Sequence, residues 1–461
     1  MRVPGLSSEG RVPGAARAAI NSLPRIRVEG PAGRLPRASL ADNAQLNALV
    51  FVPNVLQGVF RRRRAAVRAA TAADVDRWAV RLLRGMRRAY GSPVWVRMGA
   101  SPALLALEVR DVRRVLEGSP DPFASDPETK RKGMRHFQPD ALTISRGADW
   151  ENRRRFNETV LATDARAEPI AGAANALATE EIAALRTRIG SGGELSWGPW
   201  AEAFERIARR VILGDGAADD ADVSRLLAKL MEEANSLPDS DSDGFAPFTE
   251  RLERYAAAAE PGSLVARFAA APSDERTKPV GQIPHWLFAT QDTLAINCFR
   301  ALAVIAAHQE ARARAREDEE YLGACLEDAM RLWPTTPILA RELVREVEWN
   351  GERIPKGTQV VISNTFMHRD PDAHPDADRF APEGWIAGEH GSDWSFNHLS
   401  HGPQGCPGAA LAVTIGRAAL ADALAGDPAL VEPPVDEAKP LPHMLDFYAI
   451  RFTLRGGGRP R

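Results

Sequence analysis

Behind a run of four arginines, apolar positions recur every three or four residues through "AAVRAATAADVDRWAVRLLRGMRRAY", the spacing of a helix with one buried face. Two short runs break that rhythm, Val94–Met98 and Leu104–Val109. The turn residues Gly-Ala-Ser-Pro part them, so they read as a small hairpin. From about 150 to 330 the pattern is nearly all helical. Alternation returns over 343–363, where Asn350-Gly351 sits between two alternating runs; both residues tolerate the positive φ of a tight turn. The pattern predicts a mostly α protein with a minor β region in one large domain. Residues 1–40, rich in Pro, Gly and Arg, predict a loose or partly draped arm, with the folded domain over 41–455 and a flexible tail over 456–461.

One stretch departs from the amphipathic pattern. From Pro284 to about 308 the chain is apolar on nearly every face, which predicts a buried helix roughly 37 Å long at 1.5 Å per residue. Thr290, Gln291, Asp292 and Thr293 interrupt its middle. Burying a carboxylate costs several kcal/mol unless it is paired or wetted, and such a cost is usually tolerated for function. An acid beside an alcohol can relay protons to a bound ligand. The competing reading is a buried salt bridge at Asp292.

Composition narrows the classes. The 461 residues are 44% hydrophobic, ample for a large core, and the formal net charge of −2 recruits neither nucleic acid nor an acidic membrane. Cys298, Cys325 and Cys406 cannot make a disulfide framework, so a cytoplasmic setting is expected. No apolar run has the roughly 18–20 residues of a membrane span, and no signal peptide is evident. Arg61–Arg64 read as a solvated helix face rather than a lipid or polyanion contact. "DSDSDGFAPFTE" (Asp239–Glu250) fits the ligand spacing of a calcium loop, but Pro238 breaks the incoming helix and no second loop pairs with it; no calcium is expected.

The candidate chemistry centres on "SHGPQGCPGAALA", residues 400–412. Gly402, Gly405 and Gly408 let the backbone approach a bulky partner, and Pro403 and Pro407 stiffen the loop. The helix beginning near Gly408 aims N–H groups and its positive end at Cys406, which favours thiolate. A lone thiolate makes a poor zinc site but suits a metal that arrives with its other ligands, as haem does. A structural cysteine in a turn is the alternative. Three further signals stand along the chain: Asp328 and Arg331 share a helix face, Arg341 follows Pro334 and Pro337, and Trp150 and Arg154 share another helix face where they can clamp an anion.

These segments, in this order, resemble the cytochrome P450 family over about residues 80–455. The resemblance implies a P450-like single large domain binding haem b. It implies that "HGPQGCPG" (His401–Gly408) is the haem loop, with Cys406 the axial ligand to iron and His401, Gln404 and Gly408 beside it. Ala289–Thr293 would be the oxygen-activating stretch, with Ala289 at the haem and Asp292 and Thr293 as catalytic acid and alcohol. Trp150, Arg154 and Arg341 would hold haem propionates. Four departures stand out: aspartate replaces the family's usual glutamate at Asp328, Gly384 stands where the arginine completing the triad with Asp328 and Arg331 is usual, and Leu399 and Gln404 replace the usual phenylalanine and basic residue. The implied activity is oxygen insertion from dioxygen into an apolar small molecule, suggested also by Trp286 and Phe288, with electrons from a ferredoxin and its reductase. The alternatives are a peroxide-using or rearranging haem-thiolate enzyme, and a haem-binding sensor.

Overall fold

A computed structural model describes residues 34–163, 169–236 and 242–456. Helices dominate, and the strands form three small sheets. The predicted hairpin is β1 (Val94–Met98) with β2 (Ser101–Ala106), paired from Val94 opposite Leu105 to Met98 opposite Ser101. The turn is therefore Gly99-Ala100 alone, with Gly99 at φ +61°. Ser101 and Pro102 belong to the strand, and Pro102 lies before the stretch where β2 meets the strand Gln359–Ser363, so its missing N–H breaks no bond to that neighbour.

The second alternating region resolves into four strands, β5 (Ile338–Leu343), β6 (Val347–Trp349), β7 (Glu352–Ile354) and β8 (Gln359–Ser363). Asn350 and Gly351, at φ +51° and +84°, make the turn between β6 and β7 as expected. β8 instead pairs antiparallel with β5 and parallel with β2, giving a sheet of order β1-β2-β8-β5-β3, where β3 is Phe123–Ala124. A third sheet joins β4 (Glu194–Ser196), β10 (Arg451–Leu454) and β9 (Pro428–Glu432). β4 falls inside the stretch expected to be helical; three residues are too few to show alternation.

Two apolar cores follow from this layout. The larger lies among the helices around Trp200, Phe204, Leu302 and Phe299, and the smaller beneath the five-stranded sheet around Val96, Leu104 and Val361. The segment ahead of residue 41 joins the second. Leu35 is buried, Ala38 N–H donates to Trp95 O at 2.9 Å, and Glu352 accepts from Leu35 N–H and the Trp95 indole. Residues 1–33 of the expected arm and 457–461 of the expected tail lie outside the described residues.

The arginine run does not form one solvated face, because it spans the connector before helix Arg64–Ala72 and successive side chains diverge. Arg62 turns inward to the carbonyls of Gly58 and Thr335 at 3.0 and 2.8 Å. Arg63 binds Glu232, while Arg61 and Arg64 stay exposed. Of the calcium-like loop, Asp239–Asp241 lie outside the described residues, and Asp243 is engaged by Lys229.

Candidate active site

The long buried helix is present as three joined pieces, Ile283–Phe288, Ala289–Leu294 and Ala295–Ala307. The middle piece is a π-helical turn, an uncommon form that concentrates at functional sites. It carries the polar interruption. Ala289, Thr290, Thr293 and Leu294 line a cavity of about 390 Å³. Gln291 faces elsewhere and accepts a hydrogen bond from Ser224 Oγ at 3.0 Å.

Asp292 is not on the cavity wall, so the structure does not bring the expected acid and alcohol together at one surface. Successive residues of a helix point in directions far apart, and only one of the two can face the cavity. Asp292 sits among the charges of Arg61, Arg62 and Glu205, and burial pushes its carboxyl up to about 6.

Cys406 lies on the same wall as Thr293. Its loop is fixed through its backbone. Cys406 N–H donates to Leu399 O at 2.8 Å, Arg154 Nη1 donates to Gly405 O at 2.5 Å, and Thr163 Oγ1 donates to Pro407 O at 3.0 Å. Gly402, at φ +69°, passes so near helix Val109–Glu117 that a Cβ would stand 2.5 Å from Leu116 O; only glycine fits. Helix Ala409–Ala425 departs from this loop.

The sulfur keeps accessible surface, yet burial pushes the thiol up, against the Gly408 N–H and the Arg154 charge that favour thiolate. Both observations hold because that surface opens into the cavity. The expectation that the loop alone favours thiolate is therefore corrected: desolvation outweighs the helix end, and a cation on the sulfur must supply the difference. Among the described residues no cluster of three or more His, Cys, Asp or Glu side chains forms a metal site.

Trp150 and Arg154 both reach the cavity wall from helix Gly147–Val160. Arg154 also binds Glu158 at 2.6 Å, whereas the Trp150 indole makes no hydrogen bond among the described residues. Arg341, on β5, is 2% exposed and has only neutral partners: Ser119 Oγ at 3.3 Å, Ala340 O at 3.1 Å and Ser400 Oγ at 3.5 Å. Burial lowers its guanidinium to about 10. Ala289, Gln404 and Gly408 are also on the wall. His401 is not; it packs beside Trp394 with Nε2 3.2 Å from Phe396 O, behind the loop. Sequence reasoning missed Lys130, His285, Asn297, Asn364, Asn397 and His398, all on the wall. Lys130 stands in an ordinary polar helix, and nothing in its spacing marks it.

Behind the site, Asp328 and Arg331 are fully buried and pair at 2.6 and 3.1 Å. Arg331 also donates to the carbonyls of Ala377 and Arg379. The third place is filled from elsewhere: Trp385 Nε1–H and Ala381 N–H donate to Asp328 at 3.1 and 2.8 Å. A Cβ on Gly384 would stand 2.3 Å from the His390 ring, which occupies that space.

The Cytochrome P450 family profile matches residues 287–425, from the long helix through Cys406 to the end of the helix behind it. Over these residues the chain carries the cytochrome P450 profile. Cytochrome P450 4c3 of Drosophila melanogaster is 32% identical over 111 residues, 23% of this chain and 20% of that protein. Tabersonine 6,7-epoxidase isoform 2 of Catharanthus roseus is 35% identical over 102 residues, 21% and 19%. The chain thus spans about a fifth of the length of these curated relatives. Cyclooctat-9-en-7-ol 5-monooxygenase of Streptomyces melanosporofaciens aligns over 71% of this chain and 80% of its own length at 26% identity. A six-coordinated cytochrome P450 from Thermus thermophilus shares the fold, with a TM-score of 0.61 at 18% identity over 82% of this chain and 98% of that one. No helix among the described residues is long and apolar enough to cross a membrane.

The P450 cofactor is haem held by a cysteine thiolate, and the cavity fits it. Arg341 is a buried cation lacking a carboxylate. Both carboxamide atoms of Gln404, both ring nitrogens of His398 and the side-chain oxygens of Asn364 and Asn397 are buried on the wall without partners. The carboxylates of an acidic macrocycle ligated by Cys406 would accept from Arg341, Gln404 Nε2 and a His398 N–H, and its metal would supply the positive centre that the thiol needs. Arg341→Leu removes the buried cation facing it. Hydrogen bonds to charged groups contribute about 1.5–3 kcal/mol, so haem affinity is expected to fall roughly 10- to 100-fold. Haem transfer to apomyoglobin measures that loss.

Proposed function

We propose that this P450 is a monooxygenase, inserting one atom of dioxygen into a largely apolar small molecule in the cytoplasm, with electrons from a separate ferredoxin-type donor. The observation that carries the reading is the presence of Cys406, Thr293 and the unpaired Arg341 on the wall of one cavity. Bound haem supplies the oxygen-activating chemistry, which an axial thiolate promotes. The chain's residues do the rest. Arg341 and the Trp150 indole receive the acidic edge of the cofactor. Trp286, Phe288, Ile212 and Leu264 give the substrate an apolar, water-excluding wall. The Thr293 hydroxyl is the proton-carrying group at that wall.

Product labelled from ¹⁸O₂, in a system reconstituted with ferredoxin and reductase, tests the reaction; label from water or peroxide instead would sink it. Thr293→Ala is expected to keep substrate affinity but to raise hydrogen peroxide released per reductant several-fold. An unchanged ratio would remove Thr293 from the mechanism.

A further inference from the structure

Among the described residues eight large hydrophobic side chains are exposed, and five of them fall within 40–59: Leu40, Val52, Val55, Leu56 and Val59. The other three, Val109, Ile386 and Val431, stand singly along the chain. A continuous helical run from Leu40 to Leu56 carries most of the cluster. It gives Leu46, Val50 and Phe51 to the smaller core, so its inner face is already satisfied. Its last piece, Val52–Leu56, buries none of its residues. Val52, Val55 and Leu56, spaced i, i+3 and i+4, make a second apolar face, 49%, 58% and 58% exposed.

The chain then turns tightly. Gly58 N–H donates to Val55 O and Arg63 N–H to Gln57 O, at 3.0 and 2.8 Å. Phe60 is buried in this turn, while Val59 and Arg61 on either side of it are exposed, which sets Arg61 beside the apolar stripe. Helix Arg64–Ala72 turns Val67 and Ala70 inward and leaves Arg64 and Arg68, four residues apart, outside. Arg63 pairs with Glu232. Arg61, Arg64 and Arg68 have no carboxylate within ion-pair distance among the described residues, and Asp446, the acid nearest in effect to Arg64 and Arg68, is itself buried. The net charge of −2 therefore hides a local positive excess beside an aliphatic stripe.

We propose that Val52, Val55, Leu56 and Val59, with Arg61, Arg64 and Arg68, form a peripheral docking face for a bilayer surface carrying anionic phospholipid. Aliphatic side chains that enter the acyl boundary, next to arginines at the headgroups, are the composition of an interfacial helix. The stripe offers no aromatic anchor of the kind that dominates protein–protein contacts. The cytoplasmic leaflet carries the anionic lipid that such a face requires.

The haem-loaded full chain is sedimented with vesicles of phosphatidylcholine alone or with one quarter phosphatidylglycerol. The partition coefficient is expected to be at least tenfold higher on the anionic vesicles, and to fall in high salt, where exposed charges are screened. An arginine at such a surface contributes about fivefold, so Arg64→Gln with Arg68→Gln should lower the coefficient about 25-fold. Val55→Asp with Leu56→Asp should lower it at least tenfold, whereas Val109→Asp, at an exposed valine on another helix, should leave it unchanged. All these side chains are exposed, so thermal midpoints should stay near that of the parent, which checks that the variants are folded. Equal partition on the two vesicle types, no partition, or partition that neither pair of substitutions reduces would overturn the proposal. Partition lost with the arginines but kept in Val55→Asp with Leu56→Asp would assign the face to a soluble polyanion and overturn it too. So would a dimer in solution that ignores vesicles and is separated by Leu56→Asp, which would assign the stripe to a second copy of this chain. The readout needs no turnover, so it stands apart from the fate of the monooxygenase reading.

Discussion

Cys406→Ser is expected to abolish the red-shifted absorption band of the reduced, carbon monoxide-bound protein while leaving the fold in place. The band reports thiolate on iron, and no other cysteine lines the cavity: Cys298 and Cys325 are buried in the helical core. The loop should survive because the contacts fixing it are made by backbone, through Leu399 O, Gly405 O and Pro407 O. The apo variant should therefore unfold within about 0.5 kcal/mol of the apo parent, the range of substitutions that break no structural contact. A persistent band would show that another ligand holds the iron. A collapsed apo fold would show that the sulfur is structural.

Asp328→Asn should be the most destabilising single change considered. Asp328 and Arg331 are both fully buried, and neutralising one leaves the other charge without compensation, a loss of roughly 3–5 kcal/mol. That is a large part of the about 5–15 kcal/mol by which a typical protein is stable. The variant should express poorly, or unfold at markedly lower denaturant, with reduced haem content. Asp328→Glu should not rescue it. The space around the carboxylate is taken by the Trp385 indole and the Ala381 amide, and an extra methylene in a packed site costs about 1–3 kcal/mol. A denaturation midpoint in Asp328→Asn equal to that of the parent would show that the backbone carbonyls around Arg331 suffice alone.

Much of this was readable from one sequence, and the reasons differ by element. The long helix and the Asn350-Gly351 turn announce themselves through local rules, an all-round apolar pattern and a pair tolerant of positive φ. The loop around Cys406 was readable because its glycines and prolines serve a local geometry; Gly402 is tight against Leu116. The side faced by Asp292 was not, because which of two successive helical residues meets the cavity is set by how the helix packs, and that leaves no mark in composition. His401 was placed at the cofactor by its neighbourhood in sequence, whereas its ring turns back to Phe396. Lys130 and His285 meet only in three dimensions, and β4 is too short to carry a period. The replacement of the missing arginine by Trp385 was illegible for the same reason as Lys130: it depends on where a distant ring packs.

The His390 ring filling the space over Gly384 also constrains the order in which this sequence can change. An arginine introduced at 384 meets an occupied site and cannot reach Asp328, whose oxygens already accept from Trp385 and Ala381. Vacating position 390 first opens the site at the cost of a cavity. The two positions are therefore linked across a fitness valley. Neither single step leads downhill to the arginine-containing arrangement, although the pair together does not collide, and a chain that has taken the tryptophan solution is held there by its own packing.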